Sequence, residues 1–362
     1  MSSSDPLLQL VAALLVLLIP LGLLVLDAGS MRARAASAAV AVVFGIVSSA
    51  AVDAVLSSPG DLAARVLDAS FAGAIAGAVA LLAARRFGPV GAAVFASLWS
   101  VLVFQPVFAA TVGSVPSLVQ IVFGAVDFSA VLATHVAASA SMIAATLLPA
   151  VRRRPAPAEA RVSLSRAMVS AAVVGIGATA WMVGAERVLS LATGRTLANA
   201  LVGLVLGAAM WWLIERIAGR PFSPWGLTMG VVVAWGAIGL GVPFLAPTAL
   251  GATAVIATAA GAAIVVRAPA GAVLERRVSI GIIVAVAVGG IVLALLADGF
   301  GMAATGSTAL VAGQLGAVIA IAVGAFGTGL LCAGAALVAI VIAERRSTPV
   351  EQQASQVNNA EE

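Results

Sequence analysis

The chain has 362 residues, of which 62% are hydrophobic and 9% are charged, and its formal net charge is +4. Soluble domains carry about 25% charged residues, so this composition excludes a water-soluble globular protein. The basic residues stand in short clusters between apolar runs, which is typical of membrane-orientation signals and argues against a nucleic-acid partner.

Eleven apolar segments follow one another along the chain. They lie at about residues 7–27, 36–56, 66–84, 90–112, 124–149, 167–185, 196–214, 224–246, 249–266, 279–297 and 309–343. Most are about 20 residues long, which is the length of a helix that crosses a bilayer, and a helix satisfies its own backbone hydrogen bonds in lipid. The sequence therefore predicts an all-α polytopic membrane protein with about eleven transmembrane helices.

The arginines predict the orientation of these spans. All 19 basic residues are arginine. When alternate loops are assigned to opposite sides, only Arg65, Arg187 and Arg195 fall on one side, and the other sixteen fall on what we call the arginine-rich side. Because positive loops stay in the cytoplasm, we expect a multi-pass protein of the cell membrane with its N-terminus outside and its C-terminus cytoplasmic. The first segment has no basic residue ahead of it, so we interpret it as a retained span rather than a secretory signal.

We expect one membrane domain built from two halves. An arginine- and proline-rich linker, Val151 to Arg166, separates two groups of five spans, an arrangement that inverted-repeat transporters share. No convincing internal sequence repeat accompanies it. The predicted parts are a domain at 1–346, with halves at about 6–150 and 165–300 and a last helix at about 309–343, followed by a polar cytoplasmic tail at 347–362.

Four stretches of the first half are distinctive in order and spacing. They are L-D-A-G-S-M-R-A-R at 26–34, S-F-A at 70–72, F-A-S-L-W-S-V-L-V-F-Q-P at 95–106, and G-A-V-D-F at 124–128 with a histidine at 135. Together they resemble the ammonium transporter (Amt/Rh) family, and a looser match continues at 219–221, 289–292 and 310–314. The resemblance implies eleven spans, a homotrimer with one pore per subunit, and ammonium or ammonia as substrate. A cytoplasmic regulator of the PII type binds some family members, which makes it a candidate partner.

His135 is the only histidine of the chain and lies inside the fifth span. Ionisable groups within membranes are costly and usually functional, and burial favours the uncharged imidazole, which can hold ammonia or relay a proton. The resemblance implies that this ring lines the pore. The alternative is a packing histidine bonded to a carbonyl of a neighbouring helix.

Two further residues of the first half are candidates for the pore. Asp127 begins the fifth span, where an aspartate caps helix amides and complements the helix dipole. The resemblance implies that it also stabilises an outer vestibule where ammonium arrives. Phe71, at the start of the third span, corresponds to a phenylalanine that gates the family's pore, although ordinary packing is an alternative.

The chain departs from the family's pattern at several places. The second pore histidine of the family aligns with Val286, and a vestibule aromatic aligns near Val112. A second gating phenylalanine aligns near Gly184, where Trp181 either supplies the aromatic face or belongs to an interfacial tryptophan belt. A single imidazole facing Val286 cannot bridge the bore alone, so Gln314 with water is a candidate for a rebuilt proton path.

The sequence thus predicts an ammonium/ammonia transporter or channel that conducts NH3 or NH4+ through a hydrophobic pore in each subunit. The main alternative is a non-conducting ammonium sensor or scaffold subunit of the same fold, and a transporter of another small neutral solute stays open. An enzyme is not expected, because the spans contain no cluster of metal ligands and no nucleophile–base pair. No cofactor or metal is expected, and the single cysteine, Cys332, is interpreted as a packing residue.

Overall fold

The computed structural model describes residues 5–26, 31–56, 62–112, 116–148, 163–220, 223–267 and 273–358. Helices account for most of these ranges, which contain no strand. The centre of the 26–34 stretch, most of the predicted linker and the last four residues lie outside them.

The helices follow the apolar segments of the sequence. In the first half they are α1 (Pro6–Val16), α2 (Leu18–Val25), α3 (Met31–Leu56), α4 (Leu62–Trp99), a π-helical turn (Ser100–Phe104), α5 (Gln105–Val112), α6 (Leu118–Phe123), a second π-helical turn (Leu132–Ala137) and α7 (Ala138–Ala145). In the second half they are α8 (Leu164–Gly184), α9 (Thr193–Ile217), α10 (Pro224–Ile238), α11 (Pro247–Arg267), α12 (Leu274–Leu296), α13 (Met302–Thr305) and α14 (Ala309–Asn358).

The predicted number of spans agrees with these helices. Within the described ranges, eight segments are long and apolar enough to cross a membrane. One of them, Leu62–Val112, has 51 residues, far more than one crossing needs, and it turns at Gly88, whose φ of 67° is followed by Pro89. It therefore contains two spans. When the two spans of Leu62–Val112 are counted separately and the shorter apolar helices Leu132–Ala145 and Trp225–Ile238 are added, the described residues contain eleven candidate spans.

Two spans are shorter than the sequence predicted. The fifth does not begin at residue 124, because Gly124 ends α6 in the left-handed conformation and the chain stays non-helical until Val131. The eighth ends at Ile238 rather than at 246. The two non-helical stretches meet, since the backbone amide of Phe128 donates to the carbonyl of Leu240 at 3.0 Å. Interrupted helices that meet inside a membrane protein are common in transporters, where the freed backbone groups find partners in protein.

The last helix is longer than predicted. Its apolar part, Ala309–Ala343, matches the predicted span, but α14 continues as a helix to Asn358 through most of the predicted tail. The extension contains glutamate, glutamine and arginine, which have high helix propensity, but also Pro349, which has none.

Small residues allow the helices to pack closely. Gly261 of α11 and Gly281 of α12 face each other, and a Cβ atom at either would lie 2.8 Å from the other's carbonyl oxygen. Packing of this kind drives association in a bilayer, where apolar side chains gain little from leaving lipid. Between the two predicted halves, α1 and α2 pack against α8, and α7 packs against α12. The buried residues form one continuous core around these contacts.

Candidate functional site

Asp127 holds the start of the fifth span. Its carboxylate is buried, Oδ1 accepts a hydrogen bond from the amide of Val131 at 2.7 Å, and Oδ2 accepts one from the amide of Leu132 at 2.9 Å. These are the first amides of the π-helical turn, which have no partner inside the helix. The predicted capping role of Asp127 is confirmed, and both of its oxygens are used in it.

His135 lies in this π-helical turn with only 4% of its surface exposed. Its Nε2 atom is 3.1 Å from the carbonyl oxygen of Val232 in α10, and its Nδ1 atom is 2.8 Å from the hydroxyl of Thr134. A carbonyl only accepts, so Nε2 carries the hydrogen, and Nδ1 is left as an acceptor beside the hydroxyl, whose single hydrogen is also within reach of the carbonyl of Ala130 at 3.1 Å. Both ring nitrogens therefore bond to protein atoms, which is the contact expected of a packing histidine.

Gly236 makes this approach possible. A Cβ atom at Gly236 would lie 2.8 Å from Cδ2 of His135 and 3.1 Å from Cγ2 of Val286. The imidazole of the fifth span and the valine of the tenth span thus approach the same position of α10, where the glycine has no side chain. His135 and Val286 therefore both lie beside Gly236.

Four aromatic rings in successive contact extend from His135 towards the fourth span. The aromatic column consists of Trp235, Trp181, Phe71 and Phe108. Trp235 stands perpendicular to the imidazole with the ring centroids 4.6 Å apart, and Trp181 follows at 5.6 Å. Phe71 lies 3.9 Å from Trp181, and Phe108 lies 6.2 Å from Phe71. These rings come from four different spans.

The narrowest contact of the column is between Phe71 and Trp181. The two rings are nearly parallel, at 18°, and their separation is van der Waals contact, so neither an ion nor a water molecule fits between their faces. Trp181 is fully buried, and its indole nitrogen donates to the carbonyl of Ser129 at 2.8 Å. Trp181 therefore supplies an aromatic face inside the protein and is not part of an interfacial belt. At Gly184 a Cβ atom would already lie 2.7 Å from Cβ of Ala12, so a phenylalanine has no room there.

A cavity of about 110 Å³ reaches His135 from the arginine-rich side, and we call it the inner cavity. Its mouth is formed by Arg85, Trp225 and Glu275, where the guanidinium group lies over the tryptophan ring at 4.3 Å. Its inner end is formed by His135 and Trp235. The walls between are mostly aliphatic, with Ile75, Val79, Met142, Met229, Val278 and Ile282, and carry Ser139 and Ser279. Trp235 belongs to both the inner cavity and the aromatic column, which continues beyond the cavity's inner end.

Gln314 is not part of this arrangement. Its side-chain amide donates to the carbonyl of Val126 at 2.8 Å, next to Asp127, and it does not line the inner cavity. Gln314 and Asp127 thus hold the chain before the fifth span. Of the other predicted site residues, Phe71 and Trp181 belong to the aromatic column, and His135 and Val286 lie beside Gly236, next to Trp235. Among the described residues, no group of three or more His, Cys, Asp or Glu side chains could hold a metal ion.

The main functional candidate that the sequence analysis missed is Trp235. It is 2% exposed, and its indole nitrogen has no hydrogen-bond partner among the described residues. The sequence offered one signal, because Trp235 stands between the small residues Ala234 and Gly236, ten residues after Trp225 in the same span. The aromatic positions that the family resemblance implies lie elsewhere, outside the eighth span. Phe108 was missed for the same reason, one turn before Val112.

Comparisons with known proteins relate this fold to one group of membrane proteins. No protein-family profile and no curated protein sequence matches the chain. Among solved structures, Mep2 of Saccharomyces cerevisiae superposes with a TM-score of 0.73 at 15% identity, covering 91% of this chain and 85% of that one. The chain has the fold of the Mep2 ammonium transporters.

Two further structures support the same fold. Mep2 of Candida albicans matches with a TM-score of 0.72 at 17% identity, covering 91% of this chain and 83% of that one. A sensor Amt protein matches with a TM-score of 0.73 at 14% identity, covering 91% of both chains. The Mep2-like fold confirms the predicted all-α, multi-pass membrane architecture. The matched structures thus include Mep2 proteins and a sensor Amt protein.

Proposed function

We propose that this chain conducts ammonia across the cell membrane, along a path made of the inner cavity and the aromatic column. One observation carries the proposal: in a Mep2-like fold, a cavity penetrates from the arginine-rich side to a buried imidazole, and the stacked Phe71 and Trp181 rings lie beyond it. Opening this ring contact would extend the path. The stacked pair therefore has the position of a gate.

The lining favours the neutral molecule over the ammonium ion. Moving a charge between aliphatic walls inside a bilayer is costly, whereas ammonia loses only hydrogen bonds. A proton could follow separately along a chain of hydrogen-bonding groups. The only imidazole is bonded at both nitrogens to Val232 and Thr134, and Val286 stands opposite it. We therefore expect passage of ammonia without a proton and without electrical current.

Proteoliposomes test this proposal. Vesicles containing the protein are expected to take up labelled methylamine faster than empty vesicles, with no current on a supported membrane under the same gradient. Uptake equal to that of empty vesicles would exclude conduction. Uptake accompanied by a proportional current would show instead that the charged species, or a proton with it, crosses.

A second candidate is a non-conducting ammonium sensor of the same fold. The observation that favours it is the continuity of the ring contacts from His135 to Phe108, which leaves the inner cavity closed at one end. A sensor needs a site that fills from one side, and a sensor Amt protein has this fold. Saturable amine binding without any flux would favour the sensor over the transporter.

The proposal also includes the orientation of the protein in the membrane, its oligomeric state and its regulator. The distribution of arginines supports an orientation in the cell membrane with the N-terminus outside and the C-terminus cytoplasmic. The homotrimer is proposed by analogy with the family that the sequence resembles. A PII-type cytoplasmic regulator, which binds some members of the family that the sequence resembles, is the proposed partner on the cytoplasmic side. The solved structures of this fold are transporters and a sensor, which supports a function other than enzymatic catalysis.

A further inference from the structure

Two serine hydroxyls in the wall of the inner cavity have no partner within the described part of the protein. Ser139 of α7 is 4% exposed, Ser279 of α12 is 5% exposed, and both residues line the inner cavity. A helical serine often donates to the carbonyl one turn earlier, but neither hydroxyl makes that bond or any other with the described residues. In contrast to the indole nitrogen of Trp235, both hydroxyl oxygens keep accessible surface. They are therefore available to a molecule in the cavity.

The two hydroxyls lie between the mouth of the inner cavity and its inner end. Ser139 is about one helical turn from His135, and Ser279 is about one turn from Glu275. Because α7 and α12 pack against each other, the hydroxyls come from neighbouring walls. The other lining side chains are mostly aliphatic. A molecule at this level thus meets polar groups from two helices and apolar surface elsewhere.

The inner cavity is larger than ammonia requires. An apolar cavity of about 150 Å³ binds benzene, which has six non-hydrogen atoms, so each such atom takes about 25 Å³. At about 110 Å³, the inner cavity therefore has room for about four non-hydrogen atoms. Ammonia has one such atom, methylamine has two and propylamine has four. Propylamine is thus the linear primary amine that fills the cavity.

A primary amine matches the polar groups as well as the walls. Its neutral nitrogen has one lone pair and two N–H bonds, so it can accept from one serine hydroxyl and donate to the other. Its alkyl chain leaves water for the aliphatic walls, and each methylene buried in this way strengthens binding about fourfold. The same walls disfavour the charged form of the amine.

We propose that the inner cavity is a binding site for a primary amine with an alkyl chain of up to about three carbons, whose nitrogen bonds to the hydroxyls of Ser139 and Ser279 and whose chain contacts the aliphatic walls. The choice of an amine rests on the proposed function. The binding itself does not require conduction.

A chain-length series tests the site on the full chain in lipid nanodiscs. Methylamine, ethylamine, propylamine and hexylamine are titrated at one pH, and binding is followed by the fluorescence of Trp225 and Trp235, which both line the inner cavity. These amines have nearly the same pKa, close to that of a lysine side chain, so their neutral fractions are equal. We expect the dissociation constant to fall about fourfold per methylene as far as propylamine and then to level off.

Empty nanodiscs provide the reference for partitioning into lipid, which increases with every methylene. After this correction, a dissociation constant that is the same for methylamine and propylamine would overturn the proposal, because the chain would then not contact the walls. A dissociation constant that keeps falling by the same factor as far as hexylamine would also overturn it, because the cavity would then not limit the length of the chain.

Ser139→Ala and Ser279→Ala each remove one hydroxyl, and alanine favours the helix. We expect each variant to raise the dissociation constant of propylamine about fivefold, which corresponds to one hydrogen bond, and to keep the native ratio between methylamine and propylamine. Ser49→Ala on α3 is the matched control. Ser49 is 3% exposed, its hydroxyl also has no partner among the described residues, and it does not line the inner cavity. Native affinity in both cavity variants would refute the hydroxyl contacts.

The outcome is separable from that of the proposed transport. A series that levels off at propylamine, in a protein that passes no methylamine, would support the binding site and favour the sensor. Methylamine flux together with a flat series would leave conduction standing and refute this site.

Discussion

The polar side-chain atoms of Asp127 and His135 have hydrogen-bond partners within the protein. The carboxylate caps two amides, and the imidazole joins the fifth span to α10 through the carbonyl of Val232. Residues of this kind determine where a helix begins and how it meets its neighbour. Their positions therefore control the shape of the inner cavity.

Asp127→Ala removes two hydrogen-bond acceptors and leaves two buried amides without partners. We expect it to destabilise the protein by about 2 kcal/mol, measured as lost resistance to thermal unfolding in detergent. Asp5→Ala is the control, because Asp5 accepts from one amide, that of Leu8 at 3.1 Å, in a less buried position. The same loss of stability in both variants would contradict the capping account of Asp127.

At the scale of helices, the approach of the fifth span to α10 depends on Gly236. A methyl group there lies too close to His135 to be accommodated without moving the ring or the helix. The rings of the aromatic column depend in the same way on the spacing of their spans. Helix contacts, more than individual side chains, decide whether the path is open.

Gly236→Ala is expected to break the bond between His135 and Val232, to lower stability by about 1–3 kcal/mol and to reduce methylamine uptake. The matched control is Gly175→Ala on α8, where the nearest atom outside the helix is 3.9 Å from the added Cβ. Because alanine has the higher helix propensity, the control is expected to be neutral or slightly stabilising. Equal behaviour of the two variants in unfolding and uptake assays would refute this account.

Phe71→Ala removes one face of the narrowest ring contact. The stacking of such a pair contributes about 1 kcal/mol, so its loss is expected to raise the rate of methylamine uptake by about fivefold if this contact limits passage. Phe44→Ala, at a ring that is 43% exposed on the outer face of α3, is expected to leave the rate unchanged. An unchanged or lower rate for Phe71→Ala would exclude the stacked pair as the gate.

At the scale of the whole molecule, about eleven spans are predicted, and with that number the alternating loops would carry sixteen of the 19 arginines on one side. The inner cavity opens at Arg85, Trp225 and Glu275, which lie at the arginine-rich ends of their spans. If that side is cytoplasmic, the inner cavity is entered from inside the cell. Orientation therefore determines which compartment the site samples.

Single-cysteine labelling tests the orientation. Cys332 is 1% exposed, so it should stay unlabelled by a membrane-impermeant maleimide and serves as the background. In intact cells we expect Ser3→Cys to be labelled, and Ser347→Cys to be labelled only after the membrane is permeabilised. The opposite pattern would invert the topology and place the mouth of the inner cavity outside.

The sequence by itself determined the class of the protein, its number of spans and the cap at Asp127. These features depend on local signals, namely the bilayer's thickness, the loop charges and the residues next to a helix start. Only the tertiary structure decided that His135 bonds to Val232, 97 residues away, that Trp181 lies inside against Phe71, and that Trp235 closes the inner cavity. In lipid every face of a span is apolar, so composition does not distinguish the face that meets another helix from the face that meets the membrane.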